Sequence, residues 1–436
     1  MVSLLLICAA AMSQPGKEAL LPANDLKYLE QLTRDVMDSS RILPGQVVAP
    51  GFGANKTGGT LIRPGGRSSY PSFWIRDYAM SLPSGFVTAE EQRHMLMLTA
   101  STQSDRNWIT ERGAMVPFGA IADHIRPDDG VPIYFPGTYD PTEQGDSSFG
   151  VFPPYCDQYF FVDMAYWFVK ATGRISILDT VIKGRSLFDR LEISFKVPPV
   201  RYDGVLVYTT EELRGVDFGF RDVITITGDL LYPSLLKYKA ALELADLSAM
   251  KKQKKQEDSY RAIVARLKKE IPLVFSDGSG LLHASTRRSR QADVWGTALA
   301  VQLGVLDGEY AQKAGQVMRD AYLKGELSRN GNIRHVLTSL DFDSTTSWEK
   351  SLAKKGTYQN GAYWGTPVGW VCRAITLVDL ASARRLALEY LADLRKGDFR
   401  KGPAFGAPWE CYNDYGPQNP VYMTSVACPF IVFKEQ

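Results

Sequence analysis

Net charge is nearly absent from this 436-residue sequence, in which 50 Lys and Arg stand against 48 Asp and Glu. A chain so close to neutral offers no basic face for nucleic acid or for an anionic membrane surface. Cysteine is sparse, five residues without a C-x-x-C pair, which excludes a disulfide framework and removes the usual signature of structural zinc. Histidine is sparser still. His94, His124, His283 and His335 are dispersed and form no H-E-x-x-H, so neither metal nor cofactor is expected. Neither a G-x-S-x-G elbow nor a phosphate-cradling glycine loop occurs, and Ser276–Gly280 reads as a hairpin turn. No stretch reaches the ~18 consecutive apolar residues of a membrane span. Strand-type alternation is confined to GVLVYTT (204–210) and GLLHAST (280–286), and no fixed repeat of ~34 residues marks a tetratricopeptide-like solenoid.

What is present is an ordinary globular composition, 45% hydrophobic and 22% charged, arranged with helical periodicity. The N-terminus, MVSLLLICAAAMSQP, has a short apolar run followed by small residues, and Ala11 and Ser13 fit the −3 and −1 positions of a signal-peptidase site. Residues 1–13 are read as a signal peptide and 14–436 as one domain, exported to the periplasm or beyond. Cys156, Cys372, Cys411 and Cys428 then leave room for one disulfide. Apolar helical patterns follow in pairs. ANDLKYLEQLTRDVMDSS opens with Asn24 as a capping residue, and TAEEQRHMLMLTAST opens with a Thr88–Glu91 capping box. Paired segments begin at Asp157 and Ile175, at Leu230 and Glu257, at Ala292 and Glu309, and at Pro367 and Ser382. Long Gly/Pro/aromatic connections separate them, at 44–86, 104–155, 196–228, 328–363 and 397–424. Connections of this length inside a compact domain usually carry function. Helical hairpins with elaborate loops at one end predict an all-α toroid.

The unusual residues sit in those connections. PSFWIRDYAM (71–80) sets Arg76 and Asp77 among Phe73, Trp74, Tyr78 and Met80, where a charge needs a partner or a polar ligand. Asp157 and Gln158 stand at the mouth of one helix, and Asp217 and Asp222 lie among aromatics in GVDFGFRDVITITG. YQNGAYWGTPVGW carries Asn360, Trp364 and Trp370, and GAPWECYNDYG carries Glu410 between Trp409 and Cys411, with Tyr412 and Asn413 following. Polar groups dispersed over several aromatic loops suit a concave site that takes a hydroxylated ligand. Cleaving a glycosidic bond takes two carboxyl groups, one protonated and one ionised. Aromatic, water-poor surroundings raise a carboxyl pKa, and Asp222 and Glu410 have such surroundings. Each residue also has a plain alternative: a structural ion pair for Arg76–Asp77, a helix-capping carboxylate for Glu410, and N-caps for Asp222, Asp157 and Asp293.

From about residue 70 to its end, the sequence resembles the six-hairpin glycosidases, the (α/α)6-barrel superfamily of glucoamylases, trehalases and processing α-glucosidases. FWIRDYAMSL resembles their early Arg-Asp motif, which implies that Arg76 and Asp77 bind sugar hydroxyls and that Trp74 floors the pocket. FGFRDVITITG resembles the loop that delivers the general acid, which implies that role for Asp222, with Asp217 as its rival. NGAYWGTPVGW resembles a loop that implicates Asn360, Trp364 and Trp370. PWECYNDYG resembles the segment of the general base, which implies Glu410, with Tyr412 and Asn413 beside it. DHI (123–125) and FPGTY (135–139) are not general motifs of that superfamily. The resemblance implies an (α/α)6 toroid with small β-hairpins at one end, an inverting glycoside hydrolase and a saccharide as partner; a monomer is expected. A polysaccharide lyase or a saccharide-binding protein is the alternative on the same toroid, with Arg334 and His335 as the lyase's candidate groups.

Overall fold

The computed structural model describes residues 19–67, 69–135, 155–212, 214, 219 and 221–435. The leader read at 1–13, Asp217 and most of the FPGTY stretch lie outside the described residues. Twelve helices are described: α1 (Ala23–Ser39), α2 (Ile75–Ser81), α3 (Ala89–Thr102), α4 (Tyr155–Thr172), α5 (Leu187–Phe195), α6 (Leu231–Met250), α7 (Lys254–Phe275), α8 (Val294–Gln302), α9 (Gly308–Leu323), α10 (Val368–Thr376), α11 (Leu380–Gly397) and α12 (Thr424–Phe433).

The even-numbered helices form a closed inner ring. α2 packs on α4, α4 on α6, α6 on α8, α8 on α10, α10 on α12, and α12 returns to α2. Their sequences explain the position. In α12 every residue except Ile431 is buried, and α8 exposes no residue from Val294 to Val301. Such helices, apolar on all sides, need protein around them. The outer helices bury only a stripe, as α7 does with Tyr260, Leu267, Ile271 and Phe275. The first helix, α1, packs on α12, so the sixth hairpin joins the two ends of the described chain.

Helix starts follow local chemistry. The Thr88 capping box forms as read, whereas α1 begins after Pro22 without a side-chain cap and Asn24 lies inside it. The helix read from Ile175 starts only at Leu187. Residues 175–186 instead form a short 3-10 turn and a hairpin that reverses through Lys183 and Gly184, both at positive φ, before the Ser186–Asp189 capping box.

Connections from an inner to an outer helix are short, and those leading into the inner helices are long. The inner helices run parallel around the ring, so their N-termini and the long connections gather at one end. Short strands tie these connections together. A five-stranded antiparallel sheet joins residues 328–329, 332–334, 363–364, 409–413 and 416–420 in that order, and a three-stranded sheet joins Phe73–Trp74, His124–Ile125 and Pro132–Ile133. The sequence reading undercounts these strands because most are two residues long.

Candidate active site

Arg76 and Asp77 lie in the first turn of α2, where the chain leaves the Phe73–Trp74 strand. Both are buried and answer one another: Arg76 Nη2 donates to Asp77 Oδ2 at 3.2 Å, and the Tyr422 hydroxyl donates to Asp77 Oδ1 at 2.5 Å. Three further carboxyl groups lie within electrostatic reach of this pair: Asp157 from α4, Asp222 from the connection before α6, and Glu410 from the strand 409–413.

Asp222 is 8% exposed and accepts a hydrogen bond from the Gln359 amide. Burial pushes its pKa up to about 7; the Arg76 guanidinium opposes the shift, and the charges of Asp123 and Asp77 add to it. Glu410 is fully buried. Tyr70 donates its hydroxyl to Oε1 at 2.8 Å, and Asn419, its cross-strand neighbour, donates to Oε2. Burial takes Glu410 to about 7 as well, although the Asn419 and Tyr70 bonds favour its charged form. Asp157 has no exposed surface, and among the described residues neither of its oxygens has a hydrogen-bond partner. Burial first and Asp123 second raise its pKa well above the ordinary carboxylate range. It lies inside the first turn of α4 rather than capping it.

Trp74 borders the same place. Its ring meets Tyr70 edge-on at 5.0 Å and stacks on His124 at 4.2 Å. The other residues singled out in the sequence stand one layer away. The Gln158 amide is bonded to the Ile121 backbone. Asn360 pins the 346–353 segment through Ser347 N and Ala353 O. Trp364 is fully buried against Trp295, His335 and Tyr358. Tyr412 bonds to Asp393. Asp293 is the N-cap of α8 and an ion-pair partner of Arg221 at 2.6 Å.

Tyr70, Asn419 and Tyr422, which with Gln359 hold the three central carboxylates, carry no motif, and Gln359 lies unremarked beside Asn360 in YQNGAYWGTPVGW. Asn419 alone had a legible signal. If the turn at Asp414–Tyr415 is taken as the centre of a hairpin, Asn419 falls opposite Glu410. Among the described residues no cluster of His, Cys, Asp and Glu is arranged to hold a metal ion, and the four described cysteines are free and buried.

No family model and no curated protein matches the chain by sequence. Solved structures match its fold. A glucoamylase from Saccharomycopsis fibuligera superposes with a TM-score of 0.57 at 11% identity over 97% of this chain and 98% of that one. A GH63 mannosylglycerate hydrolase from Thermus thermophilus, in complex with glucose, gives 0.55 at 14% identity over 94% of this chain and 100% of that one. A rhamnosidase from Klebsiella oxytoca with rhamnose bound gives 0.55 at 11% identity over 96% of this chain. This chain spans 65% of that rhamnosidase and 34% of a GH78 rhamnosidase from Bacillus sp. GL1. The fold is thus the six-hairpin α/α toroid that these hydrolases have.

Proposed function

We propose that this protein is an exported glycoside hydrolase that cleaves a saccharide with inversion at the anomeric carbon. The observation that carries the proposal is the pair of buried carboxyls, Asp222 and Glu410, both titrating near neutrality beside one Arg–Asp pair. Such a pair suits a reaction that needs a proton donor and a proton acceptor at once. Both are held near 7, and the two side-chain bonds on Glu410, against one on Asp222, support Glu410 as the base. In the proposed step Asp222 gives its proton to the leaving oxygen, while Glu410 takes a proton from the water that attacks the opposite face. Arg76, Asp77 and the orphaned Asp157 carboxyl bind sugar hydroxyls, and Trp74 lies under the ring. The aromatic-rich loops and the sugar-bound structures of the same fold support a saccharide as the partner.

The lyase alternative fares worse. A lyase needs a base that can reach a proton beside a uronate carboxyl. His335 is buried in a stack on Trp295 and its pKa is pushed well below the usual range by burial, while Arg334 is committed to Asp341 and the Gly361 carbonyl. Incubating the protein with a panel of aryl glycosides and oligosaccharides, and following the released sugar by proton NMR, tests the proposal. The expected result is one active sugar whose first-formed product has the inverted anomeric configuration. A retained configuration overturns the inverting mechanism, and an ultraviolet-absorbing unsaturated product overturns the hydrolase reading.

A further inference from the structure

Asp123 and His124 have no part in the reaction proposed above, yet both are buried at its edge, 3% and 6% exposed. A three-stranded sheet made of two-residue strands gains nothing from a buried carboxylate–imidazole pair that two apolar residues would not supply, so the pair calls for another explanation. Its contacts lead to both halves of the site. Asp123 Oδ2 and His124 Nδ1 are 2.7 Å apart, which fixes the imidazole. His124 is the cross-strand partner of Trp74, and the two rings stack at 4.2 Å with 20° between their planes. Trp74 packs on Tyr70, whose hydroxyl holds Glu410. In the other direction, the Asp123 carbonyl accepts from Ile75 N at 3.1 Å, one residue before Arg76.

We infer that Asp123 and His124 form a positioning pair, in which Asp123 orients His124 so that its ring holds Trp74, and through Trp74 the Tyr70–Glu410 side, in register with Arg76. The inference rests on the hydrolase reading and adds two residues to it. The pair also has an electrostatic consequence. The groups that bear on Asp222 are Arg76 and Asp77 from α2, Asp123 from the residue before the His124–Ile125 strand, the backbone N–H of Asp222 itself, and the Gln359 amide from the connection before α10. Asp157 on α4 feels the same Asp123 charge. Removing that charge makes the Asp222 proton easier to lose.

The test is kcat/KM against pH on the best aryl glycoside for wild type, Asp123→Asn and His124→Phe, with thermal unfolding as the check on folding. Asp123→Asn is expected to move the alkaline limb to lower pH by about half to one unit and to lower kcat about tenfold with less effect on KM. His124→Phe keeps an aromatic ring beside Trp74 and the Asp123 carboxylate, but removes the bond through which Asp123 orients that ring. It should leave the limb in place and lower kcat, and it decides the matter if Asp123→Asn does not fold. A folded Asp123→Asn with wild-type kcat and an unmoved limb overturns the inference while leaving the hydrolase reading intact. So does a fully active His124→Phe. An inert wild type across the panel overturns the hydrolase reading and this inference with it.

Discussion

Glu410 is charged more readily than its burial alone would allow, because Tyr70 and Asn419 each donate to one of its oxygens. Removing one donor raises its pKa further, so less of the base is ionised at a given pH. Tyr70→Phe should therefore move the acid limb of kcat/KM to higher pH by about half a unit or more and lower activity most below neutrality. A pH profile with an unmoved acid limb would show that Glu410 is not the base. At this scale the sequence was only partly legible. Arg76, Asp77, Asp222 and Glu410 stand out because each is a charge among aromatic residues. Trp364 and Asn360 stand out because they lie in a Gly/aromatic loop, yet they are the packing and the hydrogen-bonded pins behind the site. The residues that hold the carboxylates are ordinary Tyr, Gln and Asn side chains, and their partners lie as far as 345 positions away along the chain.

At the scale of elements, the helices were legible because apolar periodicity is written over ten or more residues; apart from those within 204–210 and 280–286, the strands were not, because most have two residues and carry no period. The misread segment at 175–186 shows the limit. Its apolar spacing is helical, but Lys183 and Gly184 sit in a left-handed turn that no helix contains. The connection that carries Asp222 is held from its base. Arg221 and Asp293, both 1% exposed or less, form an ion pair across to the N-terminus of α8. The same carboxylate caps α8 by accepting from Gly296 N at 3.0 Å, and a Cβ on Gly296 would collide with it. Asp293→Ala removes the cap and the charge that neutralises Arg221. It should destabilise the protein by about 3–5 kcal/mol, the usual result of deleting one partner of a buried ion pair. Denaturant unfolding measures this directly, and a loss of less than about 1 kcal/mol would mean that the pair is not part of the support.

At the scale of the whole molecule, the ring places four buried carboxyl groups around one guanidinium at the N-terminal mouth of its inner helices. Two consequences follow. The first concerns stability. Asp222 and Glu410 have folded pKa values of about 7, above their ordinary values, so the unfolded chain gives up these protons first as pH rises. Their contribution is fully present in acid and is lost as pH rises through about 7. Stability should thus fall from about pH 4 to about pH 7 by a few kcal/mol, and Asp222→Asn should flatten that fall. A stability curve that rises over this range, or the same fall in the variant, contradicts the assignment of these groups.

The second consequence is catalytic, and it is the centre of the account. If Asp222 supplies the proton that the leaving oxygen needs, Asp222→Asn keeps the shape of the site and removes only the proton. The decisive measurement is turnover of Asp222→Asn relative to wild type on two substrates of the same sugar, a natural oligosaccharide and an aryl glycoside with a good leaving group. The account predicts a fall of about 10²–10⁴ on the oligosaccharide and a markedly smaller fall on the aryl glycoside, which departs without acid help. Equal losses on both substrates, or wild-type turnover on the oligosaccharide, would contradict it.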